Sequence, residues 1–272
     1  MLTPDELHSF YDTGWILREG LFDAAELERM RTCFDGLERT ARGLRETGLC
    51  DGAWFVLGTR DREQVIKRVV WAGAAQRYLL DVSADPRLTV PAAQLLGSRT
   101  LEQLLCQAHF KRPHDGVTFD WHQDIQHRDK GGDTWRDVNG RGSYVQTLIA
   151  LDEMTPDSGP LKFVRGSARW GRVAFSDGGY DHPDGEAQKP PQFRDEDVVT
   201  IDAKPGDTLF FGPYAAHASF ANTSPAYRRV LINGYAYPGA NGRVYPGDGA
   251  GRCLHVDTPD AIADSAGQPR EL

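Results

Sequence analysis

The stretch Pro205–Tyr237, PGDTLFFGPYAAHASFANTSPAYRRVLINGYAY, sets short apolar runs between turn residues. Pro205-Gly206-Asp207 reads as a turn into a strand, and Gly212-Pro213 turns the chain again. His217 then starts the next apolar segment, and Arg228, eleven residues later, opens the strand-like run RRVLINGYAY. The same texture extends back to about residue 100, through LEQLLCQAHFKR, SYVQTLIALDE, LKFVRGS and VVTID. Short strands parted by Gly, Pro, Asn and Asp suggest an all-β sandwich or barrel.

The first third reads differently. In TPDELHSFYDTG, Thr3 stands as an N-cap, Pro4 at the first helical position and Glu6 at the capping-box position, with Gly14 as the stop. WILREGLF reads as a short strand. The next helix is capped by Asp23 with Glu26, and places Leu27, Met30, Cys33/Phe34 and Leu37 at helical spacing. After a glycine-bearing loop, QVIKRVVWAG reads as a strand, and AQRYLLDVSADPRLTVPAAQLLG as short helices broken by prolines. The expected architecture is one domain over 1–272, mainly β with flanking helices. It has a helical N-terminal layer (about 1–100), a β core (about 101–240) and a C-terminal tail (241–272). Two polar connections, Ile125–Gly142 and Ser176–Asp195, are long enough to suggest function or mobility.

Bulk properties narrow the function. With 272 residues, 40% hydrophobic and 26% charged, the chain suits one soluble domain. A net charge of -8 argues against a nucleic-acid partner, and no apolar run approaches a membrane span. The N-terminus has no basic region leading into an apolar one, so cytoplasmic location is the expectation. Cys33, Cys50, Cys106 and Cys253 are scattered without a C-x-x-C pair, which excludes a cysteine zinc site and reads as structural thiols.

FDWHQDIQHRD (Phe119–Asp129) concentrates metal-binding chemistry. On a strand, residues two apart share a face, so His122 and Asp124 are expected to converge while Gln123 points elsewhere. Two histidines and one carboxylate form the facial triad that binds non-haem Fe(II) and leaves coordination positions open. His217 supplies the third ligand. Arg228 on its strand can hold a carboxylate through both arms of the guanidinium, as a 2-oxo-acid cosubstrate requires at its far end. Arg229 beside it then falls on the outer face.

WHQD, IALDEMTPDSGPLKFVRGS and PGDTLFFGPYAAHASFANTSPAYRR together resemble the phytanoyl-CoA dioxygenase family of Fe(II)/2-oxoglutarate oxygenases, over roughly Val65 to Tyr237. The resemblance implies a double-stranded β-helix, a cupin-like jelly roll. It implies iron on His122, Asp124 and His217, and 2-oxoglutarate on Arg228 with Ser219, Gln107 and Lys67. Two departures are GSARWG, where many members have PGSH, and Leu148, where some have an aromatic residue. The implied activity uses O2 to hydroxylate an unactivated C–H of a small polar molecule, an amino acid derivative or specialised metabolite, releasing succinate and CO2. Desaturation, epoxidation or ring formation at the same iron is an alternative, and a metal-binding β-sandwich acting as sensor or hydrolase is one of another class.

Substrate contacts are expected from His109 and Lys111, which share the Gln107 face, and from His127 and Trp135 in the loop after the triad motif. Trp121 is expected to pack in the core, and His114, His182 and His255 to be solvated. The partners expected are a small-molecule substrate and at most a second copy of the chain, as monomer or homodimer.

Overall fold

The computed structural model of the chain describes residues 1–129, 133–173, 175 and 192–257. Helix α1 (Pro4–Thr13) starts on a reciprocal capping box between Thr3 and Glu6, and Gly14 closes it at φ 91. Strand β1 (Trp15–Arg18) follows. Helix α2 (Ala24–Gly43) repeats the box with Asp23 and Glu26, and buries Leu27, Met30, Phe34 and Leu37 along one face.

The segment before QVIKRVVWAG is not a loop. It forms β2 (Gly48–Cys50) and β3 (Ala53–Arg60), and β3 pairs through a hairpin with β4 (Glu63–Val70). The turn carries no Asn-Gly signal: Asp61 (φ 50) and Arg62 (φ 69) take the left-handed backbone that such a pair would announce. The N-terminal layer is therefore only partly helical. Helices α3 (Ala72–Ala75), α4 (Arg77–Val82) and α5 (Pro86–Leu96) complete it. Pro86 begins α5, whereas Pro91 lies inside it and breaks nothing.

The remaining elements are β5 (Thr100–His109), β6 (Phe119–His122), α6 (Asp124–Arg128), β7 (Tyr144–Ala150), β8 (Leu161–Val164), β9 (Val198–Thr200), β10 (Thr208–Phe211), β11 (His217–Ser219), β12 (Val230–Ala236) and β13 (Arg252–His255). The large sheet runs β1-β10-β7-β12-β5-β4-β3-β2, and the small one β6-β11-β8-β9. The segment expected as a C-terminal tail contributes β13, which pairs with β5. The pairings are antiparallel, and the two sheets form the expected jelly-roll sandwich.

Both β7 and β12 are buried along their whole length, which only a sheet covered on both faces allows. Alternate residues divide between the two cores. Val145 and Ile149 join Phe34, Phe55 and Phe110 beneath the helices. Leu148 and Ala150 join Phe163, Leu209 and Phe211 between the sheets. Most of the Ser176–Asp195 connection, with His182, lies outside the described residues. No helix among the described residues is long and apolar enough to cross a membrane.

Phe34 carries the helical layer on the sheet, its ring 5.0 Å from that of Phe110. Phe34→Ala is expected to cost about 3–5 kcal/mol in urea unfolding. A loss below about 1 kcal/mol would mean that the layer is not fixed through this contact.

Candidate metal centre

Strand register sets two imidazoles face to face. His217 on β11 is the Cα partner of His122 on β6 and, on its other side, of Phe163 on β8. The two imidazole centroids are 4.2 Å apart. Asp124 arrives by a different route from the expected pleat. β6 ends at His122, Gln123 stays extended at φ -111 and ψ 139, and Asp124 is the first residue of α6. Gln123, which points away from the centre, locks that change of direction. Its amide donates to the carbonyls of Gly171 at 2.8 Å and Tyr214 at 2.7 Å, and accepts from Val173 N–H at 2.9 Å. The Ile125 N–H adds a bond to Pro213 O at 3.1 Å. In the GSARWG segment, Ser167 Oγ accepts from Ala216 N–H at 2.8 Å and so fixes the start of β11.

His122, Asp124 and His217 each offer one ligand atom, all within 4.8 Å of one another. Nδ1 of His122 lies 2.6 Å from Asp120 O, and Nδ1 of His217 lies 2.9 Å from Ala215 O. A carbonyl oxygen only accepts, so each Nδ1 carries hydrogen, which leaves Nε2 as the ring atom that can bind a metal. Asp124 Oδ2 is buried with no hydrogen-bond partner. An unpaired buried polar group costs about 1–3 kcal/mol, and a charged one more. A divalent cation on Oδ2 and the two Nε2 atoms removes that cost, and this donor set suits a first-row metal with open positions.

Protonation favours the same use. Burial, reinforced by His217, pushes His122 down to about 3. Burial alone would raise Asp124, but His217, Arg128 and His122 outweigh it and hold its pKa below the usual value. A neutral ring and a charged carboxylate are the forms a metal needs.

A cavity of about 970 Å³ opens onto these three residues. Arg228 lines it, 3% exposed, just before β12. It extends the β5–β12 ladder, donating to Lys111 O at 2.9 Å and accepting from Lys111 N–H at 3.1 Å. Its Nε donates to Gly159 O at 3.1 Å, and burial lowers its pKa to about 10. Arg229 turns outward onto Asp152 at 2.8 Å and Asp35 at 3.2 Å, as strand alternation requires. Ser219 and Gln107 line the cavity as well. Ser219 Oγ accepts from Lys111 Nζ at 2.9 Å, and Gln107 Oε1 lies 2.9 Å from His109 Nε2.

Other expected residues fall elsewhere. Lys67 is exposed on the outer face of β4, over Gly58, and Arg68 lines the cavity instead. One step along a strand exchanges faces. Lys111 is wholly buried behind Ser219, not among the residues lining the cavity. Trp135 packs against Tyr144 and donates to Gly142 O at 3.1 Å, so it anchors its loop and does not reach the cavity. His109 and His127 do line it, and so does Trp121, which was expected in the core. His114 and His255 are exposed. Sequence reading missed Arg68, Arg128, Arg243 and Tyr245 as cavity residues. Arg128 stands four residues after Asp124, so on α6 the two side chains share one face.

Comparison with known proteins agrees with the geometry. The model of the phytanoyl-CoA dioxygenase family matches residues 10–230. The L-proline trans-4-hydroxylase of Streptomyces griseoviridis is 26% identical over 243 residues, covering 82% of this chain and 82% of its own. The ectoine dioxygenase of Sphingopyxis alaskensis is 25% identical over 231 residues, covering 80% of this chain and 70% of its own. The crystal structure of EctD from S. alaskensis with bound Fe superposes at TM-score 0.69 and 20% identity, covering 94% of this chain and 87% of that one. That last likeness speaks for the fold.

Asp124→Ala removes the charged ligand and is expected to weaken Fe(II) binding, titrated calorimetrically under nitrogen, by more than about 100-fold. Unchanged affinity would remove Asp124 from the centre.

Proposed function

The chain belongs to the phytanoyl-CoA dioxygenase family, and from that premise we propose an Fe(II)- and 2-oxoglutarate-dependent oxygenase that hydroxylates a C–H bond of a small polar molecule. The observation that carries this reading is the partnerless Oδ2 of Asp124 facing two rings with free Nε2 atoms. His122, Asp124 and His217 would hold the iron, whose binding gives the buried Asp124 Oδ2 the partner that no hydrogen bond supplies.

Arg228 takes the distal carboxylate of 2-oxoglutarate. Its guanidinium is already fixed by Gly159, so little side-chain freedom is lost on binding. Ser219 contacts the same carboxylate, oriented from behind by the Lys111 ammonium. The Gln107 amide lies on the adjoining wall, its oxygen engaged by His109. With O2, iron and 2-oxoglutarate together supply the oxidation, releasing succinate and CO2. Around them the protein holds Asp124 ionised and the His122 ring neutral, and walls the reacting carbon with Phe119, Trp121 and Leu148. Such walls exclude water and orient substrate. The relatives named for proline and ectoine oxidation support a small substrate such as an amino acid derivative.

Arg228→Gln leaves the iron ligands in place and is expected to raise KM for 2-oxoglutarate by about 100-fold or more, since losing one partner of a buried charge pair costs roughly 2–5 kcal/mol. The readout is labelled CO2 released from carboxyl-labelled 2-oxoglutarate in slow, substrate-independent turnover. An unchanged KM would refute the clamp. Lys67→Ala is expected to leave that KM within about twofold.

A further inference from the structure

The cavity holds more positive charge than the proposed reaction uses. Among the described residues, four guanidinium groups line it (Arg68, Arg128, Arg228 and Arg243) against two carboxylates, Asp120 and Asp124. An Fe(II) ion and a 2-oxoglutarate dianion cancel each other, so the excess remains after both are bound.

Arg128 is where that excess is fixed. It is 5% exposed, and its Nε and Nη1 meet no hydrogen-bond acceptor. Its guanidinium carbon lies 5.0 Å from the Tyr144 ring centroid and 5.1 Å from that of Tyr245. Arg243 sits against the same Tyr245 ring at 4.7 Å, with its Nη1 on His127 O at 2.7 Å. The tyrosine faces stabilise the cation, and the Tyr245 hydroxyl and Asp124 favour its charged form, while Nε and Nη1 remain without an acceptor. A buried guanidinium left with open donors is costly alone and well suited to a planar oxyanion.

Register separates this group from the 2-oxoglutarate clamp. Tyr144 stands at one end of β7, and Ala150, the partner of Val230, at the other. Six strand residues put the two levels about 20 Å apart. Arg228 lies beyond Val230, and Arg128 lies against Tyr144, so one cosubstrate at Arg228 leaves Arg128 unused.

We propose that Arg128, clasped between Tyr144 and Tyr245, binds a carboxylate of the substrate and thereby selects for carboxylate-bearing small molecules. This assignment rests on the oxygenase reading for what happens to the bound molecule, but not for the binding itself. Arg243 draws the anion in from the rim. The handle turns the substrate so that the carbon to be oxidised faces the triad, whose Asp124 lies one helical turn from Arg128 on α6.

The test uses iron-loaded protein under nitrogen with saturating 2-oxoglutarate, so that Arg228 is occupied. Saturation-transfer NMR reads acetate against its neutral counterpart, acetamide. The acetate response is expected to exceed that of acetamide at least about fivefold, and to fall to the acetamide level in Arg128→Gln. Equal responses in the wild type, or an acetate response that survives Arg128→Gln, would overturn the assignment. If circular dichroism shows that Arg128→Gln does not fold, Arg128→Lys decides. That variant keeps the charge but loses the planar fork, so a response reduced about threefold is expected and an undiminished one refutes. Calorimetry of 2-oxoglutarate on the same wild-type preparation separates the two readings. Absent 2-oxoglutarate binding refutes the oxygenase reading, whereas the acetate difference reports on Arg128 alone.

Discussion

A carboxylate buried without a partner governs this site. Asp124 Oδ2 meets no donor, although it sits where an unpaired charge is most expensive. A fold keeps such a group only when the surrounding structure fixes it and something else satisfies it. Here the fixing is done by Gln123, whose three side-chain bonds pin the backbone as it leaves β6 for α6. His122 and His217 are held by the β6–β11 ladder, and each is oriented by its own carbonyl. The triad is thus assembled from one ladder and one locked turn.

The large sheet sets the distances on which the rest depends. β7 and β12 are covered by helices on one face and by the small sheet on the other, which fixes their positions by packing. Arg228 is tied to β5 through Lys111, and Arg128 to the opposite end of β7 through Tyr144. Two cationic ends with a metal centre opening between them give the cavity a direction. In the proposed reading, that polarity sorts cosubstrate from substrate without a separate compartment for each.

Much of this was legible in the chain, for identifiable reasons. Turn chemistry at Pro205–Asp207 and Gly212-Pro213, and the capping boxes at Thr3 and Asp23, are local signals, and they marked elements that formed. The spacing of His122, Asp124, His217 and Arg228 also pointed to residues that meet around one cavity. The readings that failed turned on features that sequence does not display. Asp124 shares the centre through a strand-to-helix change, not through the pleat. The β3–β4 hairpin turns on Asp61-Arg62, and the β3–β4 register shifts between Val56 and Leu57. Which of Lys67 and Arg68 faces inward therefore could not be read by counting. Arg128 and Tyr245 are far apart in the chain, and only folding stacks them.

The most direct measurement is a titration of the anaerobic protein with Fe(II) and then 2-oxoglutarate, followed by visible absorption. If Asp124, His122 and His217 hold iron with open positions beside a 2-oxo-acid clamp, a weak metal-to-ligand charge-transfer band should grow and saturate with both components present. It should be absent when either is omitted. Iron bound at full stoichiometry with no such band would contradict the account.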